Sequence, residues 1–180
     1  MISAILYKSS TGSCERYARE MSRKLAIPSY PVDRCPLPKG MEVVYIGWLM
    51  NGKVTGLEKA RRRYEVRAVV QVGMSPPSDA MAAQCRKKND LGDSMPVFTL
   101  QGAFHMEKLP PLMRMVMKKV NPGIVKRLEQ KGSLTDAERA TLTMARSGEG
   151  EPATWDGIQK TVDWVNAQFN APRVIKWHEP

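Results

Sequence analysis

Ser9-Ser10-Thr11-Gly12-Ser13 gathers four hydroxyl side chains around one glycine, directly after the apolar run Ala4-Ile5-Leu6-Tyr7. Helical spacing resumes at Cys14, Tyr17, Ala18, Met21 and Leu25. The pattern predicts a strand over residues 2–7, a tight loop, and a helix over residues 13–26. A helix N-terminus presents unpaired N–H groups and the positive end of its dipole, and a glycine lets backbone approach closely, so the loop suits an anion such as phosphate. It contains neither the Gly-x-x-x-x-Gly-Lys-Ser/Thr of ATP-type loops nor the dinucleotide Gly-x-Gly-x-x-Gly. A phosphomonoester held without a lysine-and-magnesium clamp fits that chemistry. The plainer alternative is a Ser-rich turn that only caps a helix.

The elements that would position this loop follow from the rest of the chain. Its 180 residues fit one domain, residues 1–180. No run of about eighteen apolar residues predicts a membrane span, and the N-terminus enters a strand without a leader pattern, so a cytoplasmic protein is expected. Cys14, Cys35 and Cys85 form neither a metal pair nor an even disulfide set and read as free thiols. No metal site is expected. The net charge of +10 favours acidic proteins or anionic lipid as partners. Nucleic acid is not expected, because aromatics are not interleaved with the basic residues as a stacking platform requires.

Ile27-Pro28-Ser29-Tyr30-Pro31-Val32 predicts a short edge strand, and residues 33–41 are too short and too rich in Pro and Gly for a full crossover helix. Glu42-Val43-Val44-Tyr45-Ile46-Gly47 predicts a buried strand leading into a loop at Trp48, Leu49, Met50, Asn51 and Gly52. Thr55-Gly56-Leu57-Glu58 has capping-box spacing for a helix carrying Leu57, Ala60 and Tyr64 inward. Residues 66–73 repeat the strand pattern and end in Gly73-Met74-Ser75-Pro76-Pro77, after which Ser78 caps a helix to about Asn89. Residues 95–102 give the last strand. Strands alternating with helices imply parallel pairing with right-handed crossovers and helices on both faces. The loops at the strands' carboxyl ends then converge.

Residues 7–18, Tyr7-Lys8-Ser9-Ser10-Thr11-Gly12-Ser13-Cys14-Glu15-Arg16-Tyr17-Ala18, resemble the FMN-phosphate loop of flavodoxins. That loop is commonly written Thr/Ser-x-Thr-Gly-x-Thr followed by an aromatic and an alanine; Cys14 stands where the family usually has threonine. The resemblance implies an α/β fold, a flavodoxin-like doubly wound parallel sheet of five strands in the order 2-1-3-4-5. It implies FMN as cofactor, its phosphate held by Ser9, Ser10, Thr11, Gly12, Ser13 and Cys14. Trp48, Leu49, Met50, Asn51 and Gly52 would flank the ring on one side, and Gly73, Met74, Ser75 and Pro76 on the other. The plainer role for Trp48, Leu49 and Met50 is to roof the core.

Residues 103–152 depart from a minimal domain and are expected to form a helical insertion before the last helix. Leu109, Leu112, Met113, Val116, Met117 and Val120 form a helical apolar stripe, with Arg114, Lys118, Lys119, Lys126, Arg127 and Lys131 around it. Packing of that stripe on the body of the domain is the expected outcome; contact of residues 109–131 with an anionic membrane or a redox partner is the alternative. Thr135-Asp136-Ala137-Glu138 is a second capping box, opening a helix to about Arg146, with a loop over residues 148–152. Thr154 caps a final helix that turns Trp155, Ile158, Val162 and Val165 to the core.

Leu100-Gln101-Gly102-Ala103-Phe104, the Met-rich segment and the final helix resemble the flavodoxin-domain branch that includes menaquinone-dependent protoporphyrinogen dehydrogenases. Those carry a long insertion before the last helix and act beside a membrane quinone pool. The expected function is electron transfer through a non-covalent flavin, with a redox protein or a quinone as partner. The alternatives are a membrane-peripheral quinone-dependent oxidoreductase and a cofactor-free interaction module. No catalytic acid or base is expected, since His105 and His178 are isolated in the sequence.

Overall fold

A computed structural model describes residues 1–75, 77–109, 111–150 and 157–170. Pro76, Pro152, Thr154, Trp155 and His178 lie outside the described residues. The elements in order are β1 (Ala4–Lys8), α1 (Ser13–Leu25), β2 (Ser29–Pro31), a 3-10 turn (Val32–Arg34), β3 (Glu42–Met50), β4 (Lys53–Val54) and α2 (Leu57–Arg61). They continue with β5 (Glu65–Gly73), α3 (Asp79–Lys88), β6 (Val97–Gln101), β7 (Phe104–His105), a 3-10 turn (Met106–Lys108), α4 (Pro111–Glu129), α5 (Asp136–Ser147), β8 (Glu149–Gly150) and α6 (Gly157–Asn170).

Five strands pair in parallel in the order β2-β1-β3-β5-β6, with β4 added antiparallel to β3. Counted without β4, this is the expected 2-1-3-4-5, a flavodoxin-like doubly wound sheet. Its central strands β1 and β3 are buried on both faces, so they read as continuous apolar runs rather than alternating ones, while the edge strand β2 is half-buried. Val44, Ile46, Val70 and Val72 face a core closed by Tyr17, Ala18 and Met21 of α1 and by Ile158, Val162 and Val165 of α6. Val43, Tyr45 and Val69 face the opposite core, closed by Leu57 and Ala60 of α2 and by Ala82 and Cys85 of α3. Full burial of each such large aliphatic side chain contributes about 1.5–3 kcal/mol.

Three expectations are corrected. Trp48, Leu49 and Met50 do not form a loop. They extend β3, and Asn51 and Gly52, both at positive φ (53° and 81°), turn the chain into β4. This is the two-residue hairpin that Asn-Gly favours. Thr55 does not cap α2: Gly56 takes the N-cap position at φ 81° with no side-chain cap bond, while the Thr55 carbonyl accepts the Tyr45 hydroxyl at 2.6 Å. The apolar stripe of α4 does not turn wholly inward: Leu112 is 67 % exposed, Val116 43 % and Val120 46 %. The helix instead buries Asn121 and Leu128 against α5, where Asn121 Nδ2 donates to the Ala145 carbonyl at 3.3 Å. The Thr135 box forms as expected, its hydroxyl accepting from Glu138 N–H and Glu138 reaching back to the Thr135 N–H.

The abbreviated connection after β2 is held by charge. Asp33 accepts from Lys59 of α2 at 2.6 Å and pairs with Lys8 at the end of β1. The Lys59 hydrogen bond, then that of Lys8, holds the Asp33 carboxyl down at about 2. Since the unfolded value is about 4, this stabilisation is complete above pH ~4 and disappears as pH falls through ~2. Thermal melts followed by circular dichroism should therefore place wild type above Asp33→Asn at pH 7, with the gap closing between pH ~4 and ~2.

Candidate functional site

At the carboxyl edge of the sheet a cleft opens where β1 and β3 send their chains in opposite directions, the switch point at which α/β sheets bind ligands. Its lining comes from Ser9, Ser10, Thr11, Ser13 and Cys14, from Trp48 and Leu49, and from Val72, Gly73 and Met74. Gly102 and Ala103 after β6, and Leu109 and Met117 of the insertion, complete it.

The hydroxyl-rich loop is shaped by its glycine. Gly12, at φ 98°, is the N-cap of α1, and no side chain caps that helix. Arg16 N–H makes the first intrahelical bond, to the Gly12 carbonyl at 3.0 Å. The amides of Ser13, Cys14 and Glu15 therefore precede the helical ladder, where a bound anion would be stabilised. Ser9 and Ser13 serve the loop itself: Ser9 Oγ accepts from Gly12 N–H at 3.1 Å, and Ser13 Oγ donates to the Ala103 carbonyl at 3.3 Å. Ser10 and Thr11 remain on the cleft wall with their hydroxyls available for contact with a ligand.

Cys14 is 2 % exposed, and burial pushes its thiol up to about 12. It stays neutral at ordinary pH, so it sets no negative charge against an anion in the loop. An uncapped helix end, hydroxyls on the wall and no carboxylate among the described lining residues together fit a phosphate. Trp48, Leu49, Gly73 and Met74, at the ends of the neighbouring strands β3 and β5, give the cleft an apolar wall against which a ring such as isoalloxazine could pack. Trp48 and Leu49 also pack against the two cores, so their roofing role and their place in the cleft coexist.

Of the expected site residues, Gly12, Met50, Asn51, Gly52 and Ser75 are not among the lining, Gly12 shaping the loop from behind it, and Pro76 lies outside the described residues. The hairpin carries Met50, Asn51 and Gly52 away toward α3, where Asn89 Nδ2 donates to the Gly52 carbonyl at 3.1 Å and Asn89 Oδ1 accepts from Val54 N–H at 2.8 Å. The Asn51-Gly52 pair after the apolar run was the available signal for that turn. Residues not expected in the site are Val72, Gly102, Ala103, Leu109 and Met117. Gly102 was readable as the end of a parallel strand. A Cβ there would stand 2.8 Å from Val72 Cγ1, and its N–H donates to the Gly73 carbonyl at 2.8 Å, so the close approach of the β5 and β6 ends requires glycine.

No protein-family model matches the chain, and no curated protein matches it significantly. The case for its function rests on its own residues.

All three cysteines are buried and free, and burial also pushes the Cys85 thiol up to about 11. Titration of the native protein with a thiol-specific chromogenic disulfide at pH 8 should label Cys14 and Cys85 only slowly, with prompt reaction of all three thiols after denaturation.

Proposed function

We propose that this chain is a redox protein that binds FMN non-covalently and passes electrons through it. The observation that carries the proposal is the convergence of an uncapped helix N-terminus, its hydroxyl loop and the apolar ends of β3 and β5 on one cleft at the switch point of a flavodoxin-like sheet. Bound flavin supplies the one- and two-electron chemistry. The first-turn amides of α1, with Ser10 and Thr11, would hold the phosphate. Trp48 and Leu49, with Gly73 and Met74 beside them, would orient the ring and exclude water from it. Leu109 and Met117 would cover the cleft from the insertion side, making the insertion part of the site. A dehydrogenase that hands electrons to a quinone is the second reading, and the exposed apolar face of α4 beside this wall favours it. No described helix is long and apolar enough to cross a membrane. Both readings place the protein in the cytoplasm, the second at the membrane surface.

The purified chain should turn yellow with one equivalent of FMN. Thr11→Glu sets a carboxylate at the phosphate position without touching the ring flanks, so it should weaken FMN by at least about a hundredfold and leave riboflavin nearly unaffected, as read by flavin fluorescence quenching. A chain that takes up no FMN would leave the loop as a helix cap and make an interaction module the better reading.

The second reading has its own measurement. Leu112, Met115, Val116 and Val120 are exposed on the same stretch of α4 as exposed Lys118 and Lys119. Each basic residue near an anionic bilayer contributes about 1 kcal/mol. Co-sedimentation should show binding to phosphatidylglycerol vesicles but not to phosphatidylcholine vesicles, weakened about thirtyfold in the Lys118→Glu/Lys119→Glu double variant.

A further inference from the structure

Met74 lines the cleft, yet its carbonyl is engaged elsewhere. It accepts from Gln101 Nε2 of β6 at 3.0 Å and from Thr141 Oγ1 of α5 at 3.1 Å, and Gln101 Nε2 also donates to Thr141 Oγ1 at 2.7 Å. Neither Gln101 nor Thr141 is part of the cleft lining. Gln101 is 4 % exposed and Thr141 3 %, so these bonds form out of water, where they are strong and costly to lose. Residues beside Thr141 on α5, Met144 and Ala145, are buried and apolar. Packing α5 on the body would be served as well by valine, of nearly the same shape. A buried hydroxyl at that position is retained at a desolvation cost unless its bonds are used.

The peptide after Met74 is trans, since the described chain contains no cis bonds. In a trans peptide the carbonyl and the following N–H leave opposite edges. With the Met74 carbonyl drawn toward β6 and α5, the Ser75 N–H leaves by the opposite edge of the peptide, at the rim of the cleft, where Met74 lines the wall and Ser75 itself is exposed beyond it.

We propose that Thr141 and Gln101 are positioning residues of the cleft: through them the insertion fixes the Met74–Ser75 peptide so that its N–H, not its carbonyl, is offered to an acceptor atom on the ring edge of the ligand. This rests on the flavin reading, in which the ring carries carbonyl and nitrogen acceptors. A carbonyl turned into the cleft would repel those atoms; an N–H attracts them, more strongly as the ring gains electrons. The insertion thereby acts on the ring loop through one peptide. It does so without contributing a side chain at that edge.

The test compares Thr141→Val, which removes the hydroxyl and keeps the shape, with Thr141→Ser, which keeps the hydroxyl, in the full chain. In the flavin-free protein the Met74 carbonyl carbon resonance and the Ser75 amide exchange rate should change in Thr141→Val and stay near wild type in Thr141→Ser. With ligand, Thr141→Val should weaken FMN and riboflavin alike, about five- to tenfold, and displace the flavin's visible bands and midpoint potential. Thr141→Ser should restore all of these. Equal effects on both ligands separate this from Thr11→Glu, which acts on the phosphate alone. Unchanged bands, potential and affinity in Thr141→Val would overturn the proposal, as would a serine variant that behaves like valine, since the effect would then be packing. If wild type takes up no FMN the flavin reading falls and takes the ring-edge role with it. An unmoved Met74 carbonyl signal would instead overturn the clamp itself while leaving FMN binding intact.

Discussion

The structure depends on one geometric constraint: β1 pairs in parallel with both β2 and β3, so every crossover begins at the same edge of the sheet. Because such crossovers are right-handed, the chain leaves β1 for one face and returns through β3 for the other. The gap this opens at the carboxyl edge cannot be filled by either crossover. It is bounded instead by strand-end loops, whose backbone groups are not consumed by the ladder. That is why the free amides of α1, the last residues of β3 and the end of β5 meet there. The cleft is a consequence of topology before any side chain is chosen. Side chains then decide what it holds.

The fold was largely legible because its signals are redundant. Val43-Val44-Tyr45-Ile46 and Ala68-Val69-Val70 are apolar on successive residues, as strands covered on both faces must be. The Thr135 and Thr55 boxes show where redundancy fails. Both have the same spacing, but only Thr135 caps, because Thr55 is already held by β3: its carbonyl takes the Tyr45 hydroxyl, and Gly56 at positive φ starts the helix one residue later. A Cβ on Gly56 would meet that same hydroxyl at 2.3 Å. The tertiary contact overrides the local motif. The hairpin after Met50 misled for a related reason: an apolar run does not announce where a strand leaves its parallel sheet, and Asn51-Gly52 was the only mark of the turn.

On the candidate site, sequence reasoning marked the hydroxyl loop and Trp48, Leu49, Gly73 and Met74, which the structure brings to one cleft, since these are contiguous and chemically marked. It did not find the wall contributed by the insertion. Helical periodicity in α4 establishes a helix and an apolar side, but apolar residues at 112, 113, 116, 117 and 120 span more than one face of it. The structure divides them: Met117 turns to the cleft, while Leu112, Val116 and Val120 turn to solvent. The face against α5 is marked by Asn121, a polar residue that a hydrophobicity pattern assigns to the surface. Thr141 was hidden in the same way, since its burial follows from a partner in β6 forty residues away.

The insertion also explains how such a wall can be added without disturbing the sheet. It leaves after β6 and returns beside its own start, where β7 pairs with β8 and the Met106 N–H donates to the Gly148 carbonyl at 2.7 Å. Ends closed on each other place little demand on the rest of the fold, because the cost of ordering the excursion is met largely within it. Glu129 with Arg146 and Lys131 with Glu138 join its two helices to each other rather than to the body. These surface pairs add little stability singly. Among the described residues the insertion reaches the site through Ala103, Leu109 and Met117 in the lining, through the Ala103 carbonyl that accepts from Ser13 Oγ, and through Thr141, bonded to Gln101 and to the Met74 carbonyl. The α1 and α6 core joins the two ends of the excursion, Leu100 before it and Ile158 after it lying in one apolar cluster.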